Sequence, residues 1–300
     1  MHHIRATFDK IVHALNDVLQ GKPPVLRDRV RPGPKHRFTD FDVIALSLTA
    51  DVIGLNSENH LFAVLCSDYK DQFPTLLSRR QFNYRKGQLA DEINLFAECI
   101  RDKFKKPRKT QDIYVVDSMP LRLCRKARHQ RSTICKDNPD LTPNLAWCAA
   151  QDEWYYGVKL NLVCSGEGVI QTFKVGESRN HDIRYLPDIV EDFQGCIIVG
   201  DKGYISKIKA KKYFDAYKVR IETPLKRNQK GKIFIYGKVR KRIETLFSQL
   251  NDQFKMQENY AKSMKNYLAR INSKLCTITL MQYINNSKNK PVSKVKYALI

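Results

Sequence analysis

Hydrophobic positions recur with two different periods along this chain. Through the first hundred residues apolar side chains recur every three or four positions, as they do across 4–19, and this spacing predicts amphipathic helices. Polar residues that can cap a helix precede three further helical segments, at Thr39 or Asp40, at Ser57 and at Ser78. The last of these helices is predicted to run from Arg79 to about Phe104.

Beyond a basic, proline-containing segment at 103–111 the apolar runs become short and continuous. The runs at 113–117 and 196–199 predict buried strands. Two further strand-like runs, 156–163 and 169–175, are joined by a Ser-Gly-Glu-Gly turn and predict a hairpin.

Helices are predicted to alternate with these strands. They cover 181–192, 207–217, 239–254 and 264–284, with another strand at 219–223, and residues 121–153 are predicted to be irregular. The resulting order is strand, hairpin, helix, strand, helix, strand, helix. It indicates an α/β (mixed α+β) ribonuclease-H-like fold, a mixed sheet flanked by helices, after a helical N-terminal region.

The net charge of the chain indicates a class of function. The 300 residues hold 53 Lys plus Arg against 31 Asp plus Glu, a net charge of +22, which is typical of nucleic-acid binding. A ribosomal or RNA-binding role is the less specific alternative. No apolar run approaches the roughly 18 residues of a membrane span, and no signal peptide is recognised, so an intracellular protein is expected. The eight cysteines include no Cys-x-x-Cys pair, which argues against a zinc ribbon.

Two aspartates follow the buried strands. Asp117 ends the first run and Asp201 follows the second, between Gly200 and Gly203. Functional groups of open α/β sheets lie at the carboxyl ends of strands, and two neighbouring carboxylates favour a bound cation. The alternative is that each aspartate is a turn or cap residue.

A third carboxylate, Glu244, lies on a predicted amphipathic helix. Its alternative role is an (i, i+4) ion pair with Arg240. The preceding segment 202–242 is rich in Lys and Arg and has only two acids before the helix, which favours a site for phosphates. Three carboxylates on so basic a chain predict two Mg²⁺ or Mn²⁺ ions and phosphodiester chemistry, with Asp117, Asp201 and Glu244 as metal ligands.

Three sets of cations are predicted to contact DNA. The first opens the helix after Ser78, as in a helix-turn-helix recognition element, and consists of Arg79, Arg80, Arg85 and Lys86. The second follows Asp117 and consists of Arg122, Arg125, Arg128 and Arg131. The third surrounds the acidic residues and consists of Lys202, Lys226, Arg227, Lys238, Arg240 and Lys241. The alternative for the first two sets is a solvated charged surface.

Other polar and aromatic side chains near the strands have two interpretations. The cluster of Trp147, Trp154, Tyr155 and Tyr156 could stack on an unpaired base, but a place in the core is the favoured interpretation. His181-Asp182 could lie near the acidic site, but capping of a helix by Asn180 or Asp182 is simpler.

Six short motifs together resemble a known family. They are Asp117-Ser-Met-Pro-Leu, Tyr156-Gly-Val-Lys-Leu, Asn180-His-Asp, Gly200-Asp-Lys-Gly-Tyr-Ile-Ser, Thr223-Pro-x-Lys-Arg-Asn and Arg240-Lys-Arg-Ile-Glu-Thr-Leu-Phe-Ser-Gln-Leu. In this order they are similar to the D-D-E transposases of bacterial insertion sequences, in particular the group numbered nine-eighty-two. The resemblance covers about 113–285.

The resemblance implies a ribonuclease-H-like core with two divalent metals, and it assigns the family's three acids to Asp117, Asp201 and Glu244. It also implies binding to double-stranded DNA at the element's terminal inverted repeats and at the target. Hydrolysis at the 3′ ends would be followed by attack of the freed 3′-OH on target DNA. Such enzymes act as dimers or larger assemblies on paired ends.

The sequence therefore predicts a DNA transposase in three parts. Residues 1–105 form a helical DNA-binding region, 106–285 the catalytic domain with C-terminal helices, and 286–300 a basic tail. It is expected in the bacterial cytoplasm, associated with the nucleoid. Two alternatives are a non-catalytic DNA-binding derivative and a nuclease that cuts DNA without joining it.

Overall fold

The computed structural model describes residues 3–20, 34–104, 112–149, 151–225 and 234–299. The chain forms two compact units. We call the first the helical unit; it comprises Met1–Lys105, Thr133–Asn138 and Leu250–Ile300. We call the second the sheet unit; it comprises Lys106–Ser132 and Pro139–Gln249.

Nine α-helices occur in the described residues. They are α1 (Ile4–Leu19), α2 (Asp40–Val52), α3 (Glu58–Asp68), α4 (Arg79–Gln88), α5 (Ala90–Asp102), α6 (Leu186–Val190), α7 (Lys207–Tyr217), α8 (Gly237–Asp252) and α9 (Met264–Ser287). The predicted N-caps are confirmed, because the side chains of Thr39, Ser57 and Ser78 each accept a hydrogen bond from a backbone N–H of the following helix. In these described parts, no helix is long and apolar enough to cross a membrane.

The predicted helix from Arg79 to Phe104 is wrong in one respect, since it is two helices separated at Leu89. The break follows Gly87, a poor helix former that is needed here, since a Cβ would lie 2.0 Å from Oδ1 of Asn266 on α9. Leu89 itself is fully buried, and acidic residues in the first turn of α5 favour the new helix start.

The C-terminal helix α9 is the centre of the helical unit. Every side chain from Ser273 to Gln282 is buried, as expected for a helix surrounded by other helices. It packs on α2, α4 and α5. The sequence had grouped this segment with the catalytic part, because a single helix pattern does not reveal its packing partners. The division into functional domains stays a prediction.

Two of the cations predicted to contact DNA are buried in this unit. Arg85 is 5% exposed; its Nη2 lies 2.5 Å from Oδ1 of Asp40, and its Nη1 donates to the Phe38 carbonyl at 2.6 Å. Lys86 is 6% exposed and lies 4.0 Å from Glu58, and burial lowers its pKa. The prediction of DNA contacts is corrected for Arg85 and Lys86, whose charges are used inside the unit.

Substituting Arg85 is therefore expected to affect folding rather than DNA contact. Arg85→Ala would remove the guanidinium that pairs with the buried Asp40 carboxylate and should lower the free energy of unfolding by about 3 kcal/mol. Arg79→Ala, on the exposed start of the same helix, should change it by less than about 0.5 kcal/mol. Urea denaturation of both variants measures the difference, and equal stabilities would contradict a structural role for Arg85.

The sheet unit contains the described strands. They are β1 (Ile113–Cys124), β2 (Asn144–Cys148), β3 (Glu153–Ser165), β4 (Ile170–Glu177), β5 (Ile197–Val199) and β6 (Arg220–Glu222). The strand order is β2-β3-β1-β5-β6, and β4 also pairs with β3. Strand β3 is antiparallel to β1, β2 and β4, whereas β1, β5 and β6 are parallel. This mixed sheet flanked by helices confirms the predicted ribonuclease-H-like fold class.

Strand β1 is longer than predicted, since it continues seven residues beyond Asp117. Pro120 lies in this continuation, although proline cannot donate a hydrogen bond to a neighbouring strand. In the structure β5 pairs only with Ile113–Val115, so this edge of β1 has no ladder at Pro120. The segment predicted to be irregular also contains β2 and a 3₁₀ helix, Lys126–Arg131.

A layer of helix covers one face of the sheet. Side chains of α6 and α7, among them Leu186 and Tyr213, pack with Tyr114 and Ile198 from β1 and β5. The predicted helix 181–192 is a 3₁₀ turn, Asp182–Arg184, followed by the short α6. This turn leads the chain past the ends of β1 and β5.

Candidate active site

The register of the parallel strands places two aspartates at the same level. Val115 of β1 pairs with Val199 of β5, and Asp117 and Asp201 each follow two residues later. The β1–β5 pairing has ended at this level, so neither aspartate is enclosed by it. The sequence-based expectation that these side chains are neighbours agrees with the electrostatic interaction between them.

Asp117 is partly buried and lies in an unfavourable electrostatic environment. Burial raises its pKa to about 7, assisted by the charges of Asp201 and Asp182. A hydrogen bond from the Ser118 backbone N–H to Oδ1, at 2.8 Å, and the charge of Arg240 act in the opposite direction. Like-charged carboxylates in this arrangement are stabilised by a cation.

Asp201 caps the turn that follows β5. Its Oδ1 accepts a hydrogen bond from the Gly203 N–H at 2.7 Å, at the start of the 3₁₀ helix Lys202–Tyr204. A Cβ at position 203 would lie 2.9 Å from this oxygen and 3.4 Å from Oδ2 of Asp182, so glycine permits the close approach of both carboxylates. Asp201 is therefore both a cap residue, as considered from the sequence, and a neighbour of other acids.

Asp182 is a site residue that the sequence interpretation did not select. Its Oδ1 accepts hydrogen bonds from Ser118 Oγ and from Lys159 Nζ, both at 2.9 Å. The expected capping role is wrong, because His181 occupies the N-cap position and makes no side-chain cap there. The signal was present in the Asn180-His-Asp motif, but only the fold brings it beside β1 and β3.

Tyr204 adds a buried hydroxyl to this group. The residue is 1% exposed, and burial together with the charges of Asp182, Asp117 and Asp201 raises its pKa well above the usual value. Among the residues that the structure describes, its hydroxyl has no hydrogen-bond partner. The hydroxyl is thus a buried polar group that the described residues leave unsatisfied, in electrostatic range of three carboxylates.

Glu244 lies on α8, where the structure has the ion pair considered from the sequence. Its Oε1 is 3.6 Å from Nη2 of Arg240, and its side chain is 54% exposed. Arg240 also acts on Asp117, so one guanidinium is within electrostatic range of both carboxylates. Across the described ranges, no three His, Cys, Asp or Glu side chains are grouped so that they could hold a metal.

The predicted phosphate contacts differ in their exposure. The exposed side chains are Lys202, Lys238, Lys241, Arg125, Arg128 and Arg131. Arg240 is half-buried, and its Nε has no hydrogen-bond partner in the described part of the chain. Arg122 instead donates to Gln151 and pairs with Glu153. Lys226 and Arg227 lie outside the described residues.

The aromatic cluster divides into two pairs. Tyr155 and Tyr156 are 3% and 4% exposed and belong to the core, as expected. Trp147 and Trp154 are 48% and 45% exposed, so the favoured core interpretation is wrong for them. On β2 the exposed Trp147 and the buried Ala146 point to opposite faces of the sheet, and on β3 the exposed Trp154 and the buried Tyr155 do the same.

A family model described as the transposase DDE domain matches residues 108–280, which is more than half of the chain. The chain belongs to this family. The transposase is therefore a metal-dependent enzyme that cleaves DNA, and its substrates are DNA. A search of the curated proteins finds no match, and neither does a search of the solved structures. Membership of the group numbered nine-eighty-two stays a prediction.

The residues of this transposase fit a divalent cation by their chemistry. Carboxylate oxygens are the ligands that Mg²⁺ and Mn²⁺ prefer, and Asp117 and Asp201 supply them at one level of the sheet. Besides burial, the charges of Asp201 and Asp182 oppose ionisation of Asp117, and a bound cation would offset that repulsion.

Removing the Asp117 charge should stabilise the metal-free protein at alkaline pH. The folded-state pKa is raised from 3.8 to about 7, so the folded protein binds more protons and loses stability as pH rises through this window. Asp117→Asn is expected to raise the free energy of unfolding by about 1–2 kcal/mol at pH 8, since partial exposure screens the effect. The gain should shrink toward pH 4.

Urea unfolding in EDTA at several pH values measures this difference between wild type and variant. A difference that stays constant from pH 4 to pH 8 would contradict the electrostatic environment assigned to Asp117.

Proposed function

We propose that this transposase binds the terminal inverted repeats of its insertion sequence, cleaves their 3′ ends and joins them to target DNA by two-metal phosphoryl transfer. The observation that carries the proposal is the equal register of Asp117 and Asp201 at the open end of the β1–β5 pair. The match to the transposase family supports the same reaction class.

In this proposal Asp117, Asp201 and Glu244 hold two Mg²⁺ or Mn²⁺ ions. Bound ions of this kind polarise the phosphoryl oxygens and lower the pKa of an attacking water or hydroxyl. Within the described residues Glu244 makes an exposed ion pair with Arg240, and such pairs contribute little free energy, so its carboxylate is available as a ligand. The Ser118–Asp182–Lys159 hydrogen bonds fix the side chains beside Asp117.

Cations near the carboxylates hold the DNA backbone. Arg240 is suited to this role because its charge acts on Asp117, and Lys202, Lys238 and Lys241 are exposed nearby in sequence. Phosphate contacts position the strand without selecting a sequence, and they make binding depend on salt.

One site serves both steps. In the first, the oxygen of water attacks phosphorus and the bond from phosphorus to O3′ breaks. The departing O3′ takes up one proton and becomes the 3′-OH, and the other proton of the attacking water passes to solvent as the new 5′-phosphate ionises. In the second, the freed 3′-OH attacks a target phosphodiester, and the target's own O3′ leaves with a proton. The second step exchanges one phosphodiester bond for another, so it needs no energy-supplying cofactor.

The helical unit is proposed to bind the inverted repeats through α4. Its exposed start bears Arg79, Arg80, Gln81 and Tyr84, after the preceding α3 and a short 3₁₀ turn. Polar and aromatic side chains at the start of such a helix are able to contact bases and phosphates. Action on two ends requires a dimer or larger assembly, at work on chromosomal DNA in the nucleoid.

Alanine substitution of the three acids tests the chemistry. Asp117→Ala, Asp201→Ala and Glu244→Ala should each reduce cleavage at least about a hundredfold, because each removes a ligand of the ions that stabilise developing charge. Binding to end DNA should stay within about threefold of wild type. The assay follows cleavage and strand transfer with labelled end DNA, a supercoiled target and Mg²⁺.

Glu222→Gln is the matched control, since Glu222 ends the neighbouring strand β6 but pairs with Arg220 at 2.9 Å. It should cleave like wild type. Metal-dependent cleavage retained by any of the three alanine variants would refute that residue's role. Cleavage without joining by wild type would indicate a nuclease, and binding without cleavage a DNA-binding derivative.

The exposed face of α4 can be tested separately. Arg79→Ala and Arg80→Ala should each weaken binding to end DNA about three- to tenfold. If each residue contacts a phosphate, each variant should also reduce the slope of the logarithm of the binding constant against the logarithm of salt concentration by about 1. Fluorescence anisotropy over a range of salt concentrations measures both. Lys10→Ala, an exposed cation on α1, serves as control, and an equal effect in all three variants would argue against α4.

A further inference from the structure

The only two tryptophans of the chain form one exposed pair. Trp147 of β2 and Trp154 of β3 are directly opposite each other in the antiparallel register. Their ring centroids lie 5.6 Å apart with the rings inclined at 66°, an edge-to-face arrangement. About half of each side chain is exposed. Two adjacent indoles left open to solvent form an apolar patch of the kind that marks a binding site.

The strands that carry this pair are firmly held. Strands β2 and β3 pair along five positions from Asn144 to Cys148. At the end of the hairpin Arg122 donates to Oε1 of Gln151 at 2.6 Å and pairs with Glu153, the neighbour of Trp154. The backbone positions that carry the two rings are thus set by strand pairing, which reduces the entropy lost on binding.

Cations border the same patch. Nζ of Lys126 lies 5.8 Å from the ring centroid of Trp154. Lys126 begins a 3₁₀ helix that packs on β3 and brings His129 to 6.0 Å from the ring of Tyr156. Further exposed cations accompany it in the same segment, namely Arg125, Arg128 and Arg131. The patch therefore combines aromatic faces with positive charge. Two acids, Asp152 and Glu153, directly precede Trp154, and Glu153 is paired with Arg122.

We propose that Trp147 and Trp154 form a stacking site for unpaired bases of single-stranded DNA, with the 125–131 cations holding the flanking phosphates. Stacking on aromatic rings together with a basic groove is how proteins bind single strands without sequence preference. Paired bases inside a duplex cannot use the site, because neighbouring base pairs cover their faces. The net charge of +22 favours DNA over a protein surface as the occupant.

This inference rests on the proposed function in one respect, the choice of DNA as the polymer that binds. Binding at the tryptophans does not use Asp117, Asp201 or Glu244, so it is measured in EDTA, where cleavage cannot occur. Failure of the stacking site and failure of the catalytic assignment therefore give separate results.

Intrinsic fluorescence tests the proposal directly, because all tryptophan emission comes from this patch. Titration of the full chain with a thymidine oligonucleotide of about eight nucleotides should quench the emission at least about twofold, since stacking brings a base against each indole. An abasic oligonucleotide of equal length and a blunt duplex should each quench the tryptophan emission much less. The comparison is made at equal fractions of protein bound, and anisotropy of labelled DNA measures that fraction.

Variants separate stacking from charge. Replacing both tryptophans with alanine should weaken binding of the single strand about tenfold, whereas replacing both with phenylalanine should keep it within about threefold. Phe214→Ala is the matched control. Phe214 is 47% exposed with Lys218 Nζ 5.5 Å from its ring centroid, but no second aromatic ring of the described residues pairs with it. This control should bind like wild type.

Three results would overturn the proposal. One is equal affinity for the abasic and thymidine strands, which would mean that charge alone binds them. Another is unchanged emission at full occupancy in wild type. The third is an emission change that follows protein concentration without DNA, which would mean that a second copy of the chain covers the pair.

Discussion

The parallel pairing of β1 with β5 is the constraint on which the site depends. Because Val115 pairs with Val199, both strands end their pairing at the same level, and Asp117 and Asp201 have to share one edge of the sheet. The apolar side chains that drive this pairing therefore bring two like charges together. Burial and repulsion raise the pKa of Asp117 to about 7, which destabilises the metal-free protein but suits a divalent cation.

The excess of positive charge serves two different purposes in this chain. In the helical unit, Arg85 and Lys274 are buried; Arg85 pairs with Asp40, and the ammonium of Lys274 donates to the Lys255 carbonyl at 3.0 Å. These cations hold the fold together and are not available to a ligand. On the sheet unit, the side chains of Lys202, Arg125, Arg128 and Arg131 are exposed and can meet a polyanion. Net charge alone does not separate the two classes, because only packing decides which cations reach the surface.

The sequence predicted the features that depend on neighbouring residues. It missed those that depend on contacts between residues far apart in the chain. Apolar runs and cap residues gave β5, α7 and the start of α4, since each depends on a few neighbouring side chains. The length of β1 was missed because its pairing with β3 depends on residues forty positions away. Asp182 was missed for the same reason, since Ser118 and Lys159, which bind it, come from two other strands.

Strand β3 connects the exposed aromatic pair with the acidic group. It bears Trp154 near its start and, eight residues later on the same face, Leu162, which pairs with Asp117 of β1. This span is roughly 27 Å along an antiparallel strand. The basic 3₁₀ helix that borders Trp154 follows directly from β1, the strand of Asp117. A base held on the tryptophans would thus be tied to the carboxylates by two paired strands rather than by loops. Its contribution to the reaction would be to limit where the DNA strand lies, which lowers the entropic part of the barrier without any group taking part in the chemistry.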